Sequence, residues 1–235
     1  MKATLFEILE ITLAAGGERA ARFKPALANQ PKAGQYLLAH HPADTAEAVA
    51  RTLFPTGLPS GEVFYSPLPP HWGPGDPIYL RGPLGKGFRL PHQVRRLALA
   101  AAGDSVQRLL PVVGMAAAAE VAVFTDAPLP RLPSLYEAYP LAALADNLSW
   151  PDFMAVDVPL TQVNGLPATL GLEPGQAPPC PTQVLVQAPM PCGGLAQCGV
   201  CAVDTGLGRG RGRWVLVCED GPVLPWETLF SPQSR

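Results

Sequence analysis

The chain has 235 residues, of which 48% are hydrophobic and 15% charged, with a formal net charge of −2. That apolar content is ample for a buried core in one large domain or a few small ones, and the near-neutral balance lacks the basic footprint of a nucleic-acid binder. Apolar tracts stop short of the about 18 residues that a spanning helix needs, and Glu7 and Glu10 stand where a signal peptide would be basic, so no membrane insertion or secretion is expected.

Proline, at 29 residues, is the compositional outlier. Its clusters at 55–77, 128–140, 151–159 and 174–191 favour short strands and loops over long helices. The run Thr4–Leu13 mixes β-branched and apolar residues with alternating polar ones. Ala21–Lys24, Gln35–Ala39, Glu62–Tyr65 and Pro77–Leu80 continue as short segments. These read as antiparallel strands closing into a barrel over residues 1–92, which removes exposed edges.

From Val94 the texture changes. Arg95–Ala102, Gly103–Leu110 and Glu120–Asp126 suggest a strand, a helix and a strand. Tyr136–Leu148 is expected to be a second helix, with Ser134 as N-cap and Pro151 beyond its end, and Phe153–Asp157 a third strand. This gives a short α/β domain over 93–175, bounded by the prolines at 174–179. A cysteine module follows over 176–235. The expected fold class is therefore multi-domain: antiparallel β-barrel, α/β nucleotide-binding-like domain, C-terminal cysteine module.

Four of the five cysteines fall in the last 44 residues. Cys192, Cys198 and Cys201 lie on a Gly-rich loop with five and then two intervening residues, and Cys218 follows after sixteen more. The nearest general pattern is the plant-type [2Fe–2S] spacing, with one residue too many in the first gap. Gly193, Gly194 and Gly199 would let backbone N–H groups turn inward toward sulfides. The spacing also leaves open a zinc site, which usually shows two Cys-x2-Cys pairs, and four cysteines without metal. Cys180, between prolines, is left outside the set. With four cysteines assigned to metal and one over, no disulfide framework is indicated and a reducing cytoplasm is expected.

Three segments carry a family resemblance. Ala33-Gly-Gln-Tyr36 resembles a Pro-Gly-Gln-Phe strand, Leu80-Arg-Gly-Pro-Leu-Gly-Lys-Gly-Phe88 a Gly-Pro-Leu-Gly-Asn-Gly-Phe segment at the barrel's end, and Met190–Cys201 with Cys218-Glu-Asp-Gly-Pro-Val223 a cluster loop and its closing motif. All three belong to the electron-transfer subunit of two-subunit bacterial dihydroorotate dehydrogenases, in the ferredoxin-reductase superfamily. The resemblance implies FAD held between barrel and α/β domain, NADH accepted by the latter, and a [2Fe–2S] cluster passing electrons to a larger flavin subunit. It places Gly82, Pro83, Leu84 and Gly85 near FAD and makes Cys192, Cys198, Cys201 and Cys218 the cluster ligands.

Two departures bear on the cofactors. The family's Arg-Pro-Phe-Ser flavin motif is replaced by Arg51-Thr-Leu-Phe-Pro-Thr56, and its Gly-Gly-Gly-x-Gly turn by Ala100-Ala-Ala-Gly-Asp-Ser-Val106. Asp104 puts a negative charge where a phosphate would sit, and alanine Cβ atoms block close approach. The expectation is a degenerate member with a [2Fe–2S] cluster, FAD doubtful and NAD unlikely, hence with little NADH reductase activity of its own. It would relay electrons between a donor and a partner oxidoreductase, possibly a dihydroorotate dehydrogenase catalytic subunit. A non-catalytic assembly subunit with a structural metal is the rival.

Other features carry less. His40 and His41 point to opposite faces of a strand and do not share one ion. His71 and His92 are expected in loops, Arg209–Arg213 at a hairpin tip or a docking patch, and Trp226 and Phe230 in a partner contact or the core. No Ser-His-Asp or paired-carboxylate arrangement emerges from the spacing.

Overall fold

The computed structural model describes residues 3–44, 50–58, 62–116, 119–173, 175–205 and 214–230. Strands β1 (Thr4–Leu13), β2 (Arg19–Lys24), β3 (Tyr36–His40), β4 (Arg51–Thr56), β5 (Phe64–Ser66) and β6 (Pro77–Leu84) close into a barrel in the order β1-β2-β5-β4-β3-β6. Alternation builds it: Ile8, Ala21, Leu37, Ala39, Leu53, Tyr65, Ile78 and Leu80 point inward with Trp72 into one core. β1 and β6 pair antiparallel from Thr4↔Leu80 to Glu7↔Pro77, so no edge remains open there.

A six-stranded sheet follows, made of β7 (Arg96–Ala101), β8 (Glu120–Thr125), β9 (Tyr136–Tyr139), β10 (Phe153–Pro159), β11 (Thr182–Gln187) and β14 (Val223–Pro225). Their order across the sheet is β14-β11-β10-β7-β8-β9. Strand β10, Phe-Met-Ala-Val-Asp-Val-Pro, is buried from Phe153 through Val158, as expected of a central strand covered on both faces. The hairpin β12 (Ala202–Asp204) and β13 (Trp214–Leu216) stands apart as a two-stranded sheet. Residues after 175 are thus tied to the main sheet by β11, parallel to β10, and by β14, antiparallel to β11. No helix among the described residues is long and apolar enough to cross a membrane.

Two expected helices come out differently. The helix after β7 is only α1 (Leu110–Val113), because Pro111 fits no further along than a first turn. Residues 136–148 are not one helix. Tyr136–Tyr139 is the edge strand β9, and helical turns begin only at Leu141, ending as α2 (Leu144–Asn147). Pro140 explains the break: it disfavours the helical region for Tyr139 and its own N–H is missing from any ladder.

Candidate functional site

The three sequence segments that are far apart in the chain meet at one place. Lys86 donates its N–H to the Gly221 carbonyl at 2.7 Å, Val223 donates to the Lys86 carbonyl at 3.3 Å, and Lys86 bridges Pro222. Gly85, at φ +74°, leaves room for this approach: a Cβ there would lie 2.4 Å from Pro222 Cδ and 2.8 Å from Tyr36. Gly34, at φ +83°, does the same for Val223, at 2.4 Å. The segment Gly82–Gly85 therefore packs on Tyr36, Leu37 and the loop following Cys218.

Around Tyr36 lie the cysteines. Tyr36 is 1% exposed, and its hydroxyl donates to the Cys218 carbonyl at 3.5 Å. Burial, then the Cys218 thiol, push its pKa up to about 12, with Arg81 opposing. Cys192 is half-buried, Cys198 exposed, and Cys201 and Cys218 buried. The Cys192 thiol receives backbone N–H groups, that of Gln197 foremost and those of Cys198 and Leu195 after it, which lower its pKa to about 6. Cys218 is raised to about 11 by burial and by the neighbouring Cys201 thiol, against the Ala196 amide. Cys192 is hydrogen-bonded with Cys198, and Cys218 with Cys201. Gly193, Gly194 and Gly199 have φ of 66°, 73° and 67°, the left-handed turns that bring these amides inward. Cys180 lies elsewhere, 3.9 Å from Thr182 Oγ1.

A second polar centre lies where the barrel meets the sheet. Gly57, just after β4, donates to the Gln107 carbonyl. Arg108 follows, its side chain 4% exposed, with Nε 2.9 Å from Asp157 of β10, Nη1 3.5 Å from Glu18 of the barrel and Nη2 3.7 Å from Asp104. Gln187 donates to the other Asp157 oxygen at 2.6 Å. Gln107 Nε2 and Arg108 Nη2 are buried and have no hydrogen-bond partner. Strand β4 connects the two centres, because its Phe54 ring lies 6.1 Å from Tyr36.

Several of these residues escaped the sequence reading: Arg81, Arg108, Glu18, Gln107 and Asp157. Two carried a signal, since Asp157 interrupts the apolar run Phe153–Val158 and Arg108 the run Val106–Leu110; charges in buried segments need partners. Of the histidines, His41 accepts from the Ala43 N–H through Nδ1, and His71 lies 3.0 Å from Asp44. Trp226 and Phe230 pack on each other in the core. Arg209–Arg213 lies outside the described residues.

The tyrosines supply a direct check on burial. Tyr36 and Tyr65 are both raised to about 12, Tyr65 by burial. Because the unfolded chain would ionise them near 10, the stability they carry is complete below pH 10 and lost as pH rises through 12. Absorbance at 295 nm should show a late tyrosinate fraction accompanied by unfolding. Full ionisation near pH 10 with the circular dichroism unchanged would contradict it.

No protein-family model and no curated protein sequence matches the chain. Solved structures do. The chain is similar to an NADH-dependent reduced ferredoxin–NADP oxidoreductase, with 15% identity, 96% of this chain and 91% of that one covered, and a TM-score of 0.67. It is also similar to the FAD/NAD-binding domain of a nitric oxide dioxygenase from Vibrio cholerae, at 12% identity with 80% and 100% covered and a TM-score of 0.56. Phthalate dioxygenase reductase, described as transferring electrons from pyridine nucleotides to [2Fe–2S], matches at 12% identity over 92% and 77% with a TM-score of 0.52. The chain has the ferredoxin-reductase fold.

That finding corrects the cofactor expectation, which placed a [2Fe–2S] cluster first, FAD as doubtful and NAD as unlikely. Proteins of this fold are described as binding FAD and NAD or drawing on pyridine nucleotides. Among the described residues no group of three or more His, Cys, Asp or Glu side chains is placed to hold a metal ion; Cys201 and Cys218 are buried, Cys192 is half-buried and Cys198 is exposed. Asp104 itself is 92% exposed, with its carboxylate 3.7 Å from Arg108 Nη2, beyond hydrogen-bond distance. The barrel–sheet junction fits an anionic dinucleotide in one respect: Gln107 Nε2 and Arg108 Nη2 are two buried donors lacking acceptors, a costly arrangement unless something accepts from them.

Proposed function

We propose that the chain is the electron-transfer component of a two-part oxidoreductase, holding FAD at the barrel–sheet junction and delivering electrons to a larger subunit, of the kind found in two-subunit dihydroorotate dehydrogenases. The observation that carries this is the pair of unsatisfied buried donors, Gln107 Nε2 and Arg108 Nη2, at the junction of a ferredoxin-reductase fold. They would take phosphate oxygens, while Gly82, Pro83, Leu84 and Gly85 run alongside Tyr36, whose ring neighbours Phe54 of β4. Bound there, the flavin supplies the conversion of hydride pairs into single electrons. The chain's part is to position it, exclude water and present an exit.

In the same proposal Cys192, Cys198, Cys201 and Cys218 form one cysteine site at that exit. Its rim is uncharged: Leu195, Gln197, Cys198, Gly199 and Val200 are all exposed, and Leu195 and Val200 are 55% and 47% exposed. Covering such a rim with a partner would exclude water along the electron path. The free cysteines support a reducing compartment such as the cytoplasm.

The test is electron delivery to the copurifying large subunit. Cys192→Ser and Cys218→Ser should slow delivery by disturbing the loop that docks the partner and leave flavin content unchanged, and Cys180→Ser should behave as wild type. Leu195→Glu should weaken the complex at least about tenfold in Kd, the equivalent of about 1.4 kcal/mol. Undiminished delivery in both cysteine variants would remove the thiols from the path.

A further inference from the structure

The loop 192–201 has little to hold it: four of its residues are glycine or alanine in left-handed turns, and its far side is open. Besides the Val217 N–H that bonds the Cys201 carbonyl, it is held from the barrel. The Arg81 guanidinium, on β6 just before Gly82, donates through Nη2 to the Gly193 carbonyl. The same Nη2 would lie 3.7 Å from a Cβ at Gly193 and 3.9 Å from one at Gly194. Tyr36, on β3, contributes its hydroxyl, 3.0 Å from where a Gly194 Cβ would be, and bonds the Cys218 carbonyl at the site's other half. Both residues belong to strands that pair with each other and are fixed by barrel closure. They are 111 and 156 positions from Cys192, hence absent from any local motif.

We propose that Arg81 and Tyr36 are positioning residues of the cysteine site: the barrel supplies a clamp on the Gly193 carbonyl and a floor beneath Gly194, and the first half of the cysteine loop holds its shape against that surface. This rests on the reading of the four cysteines as one site. Arg81 also brings a cation toward the Cys192–Gly193 turn, where a planar, multi-donor head is better suited than a flexible ammonium, although lysine retains the charge and one donor. The barrel is thereby a working half of the site and not only a flavin support.

Hydrogen exchange followed by mass spectrometry, on the full chain as purified, reads the clamp directly through local opening. Arg81→Leu is expected to speed exchange of amides 192–201 about tenfold while barrel amides keep their wild-type rates, and Arg81→Lys to bring the loop back to within about threefold of wild type. Gly194→Ala is expected to loosen the loop more in the wild-type background than in Tyr36→Phe, where the hydroxyl that meets the new Cβ is gone. Unchanged loop exchange in Arg81→Leu, or equal increments from Gly194→Ala in both backgrounds, overturns the proposal. The underlying reading has its own control: if Cys192→Ser leaves exchange around Cys201 and Cys218 untouched, the cysteines are not one site, whatever Arg81 does.

Discussion

Arg108→Met is expected to lower the unfolding free energy by about 3–5 kcal/mol, because removing one partner of a buried ion pair leaves the other charge uncompensated. Here two carboxylates are left, Asp157 with no exposure and Glu18 on the barrel side. Burial raises the Asp157 carboxyl, against Arg108 and Gln187, which lower it. Burial also acts against the Arg108 charge, but Asp157 and Glu18 outweigh it and hold the guanidinium protonated. A carboxyl raised in the folded state contributes stability below its unfolded pKa and loses it as pH rises through the folded value. The deficit of Arg108→Met should therefore shrink as pH falls and Asp157 takes up its proton. Replacing both partners, as Arg108→Met with Asp157→Leu, should recover most of the loss. Urea unfolding at several pH values measures this; a single-variant deficit under about 1 kcal/mol at neutral pH would mean the network is solvated.

Gly85→Ala should cost about 2–5 kcal/mol, combining a left-handed residue with a Cβ and overpacking against neighbours that cannot move aside. The obstructing atoms are Pro222 Cδ at 2.4 Å, Tyr36 Cε1 at 2.8 Å and the Gly221 carbonyl at 3.0 Å, all three on a ring or the backbone. The local consequence is separation of Lys86 from Gly221 and Val223, whose hydrogen bonds join barrel to cysteine segment. Thermal unfolding reads the loss. A variant as stable as wild type, with Lys86 and Val223 amides still protected, would show that the junction relaxes freely. Gly17→Ala is the comparison, since its φ is +79° but nothing lies within 4 Å of its Cβ.

Alternation made the barrel legible from β1 through β6, except β4. Pro55 hid that strand, since a proline inside an apolar run argues against a strand interior, yet it pairs with Tyr65 in the closed sheet. The helical composition of 136–148 concealed β9, where the governing signal was the single residue Pro140. The cysteine spacing identified a loop whose glycines do take left-handed turns. What the sequence could not show were contacts without a period: Gly85 against Pro222, Arg81 against Gly193, and Arg108 between Glu18 and Asp157. Each links segments that only the closed barrel and the crossover into β11 bring together. Nor could it show that the Asp104 carboxylate lies 3.7 Å from Arg108 four residues on.

Flavin stoichiometry of the purified full chain tests the central claim most directly. Titration with FAD, followed by quenching of flavin fluorescence, should show saturable binding of about one FAD per chain with Kd in the micromolar range or below. Gln107→Leu should weaken it by removing one of the two unsatisfied donors at the junction. Linear, unsaturable titration in the wild-type protein, matched by no flavin in protein purified from its own cells, would contradict the account.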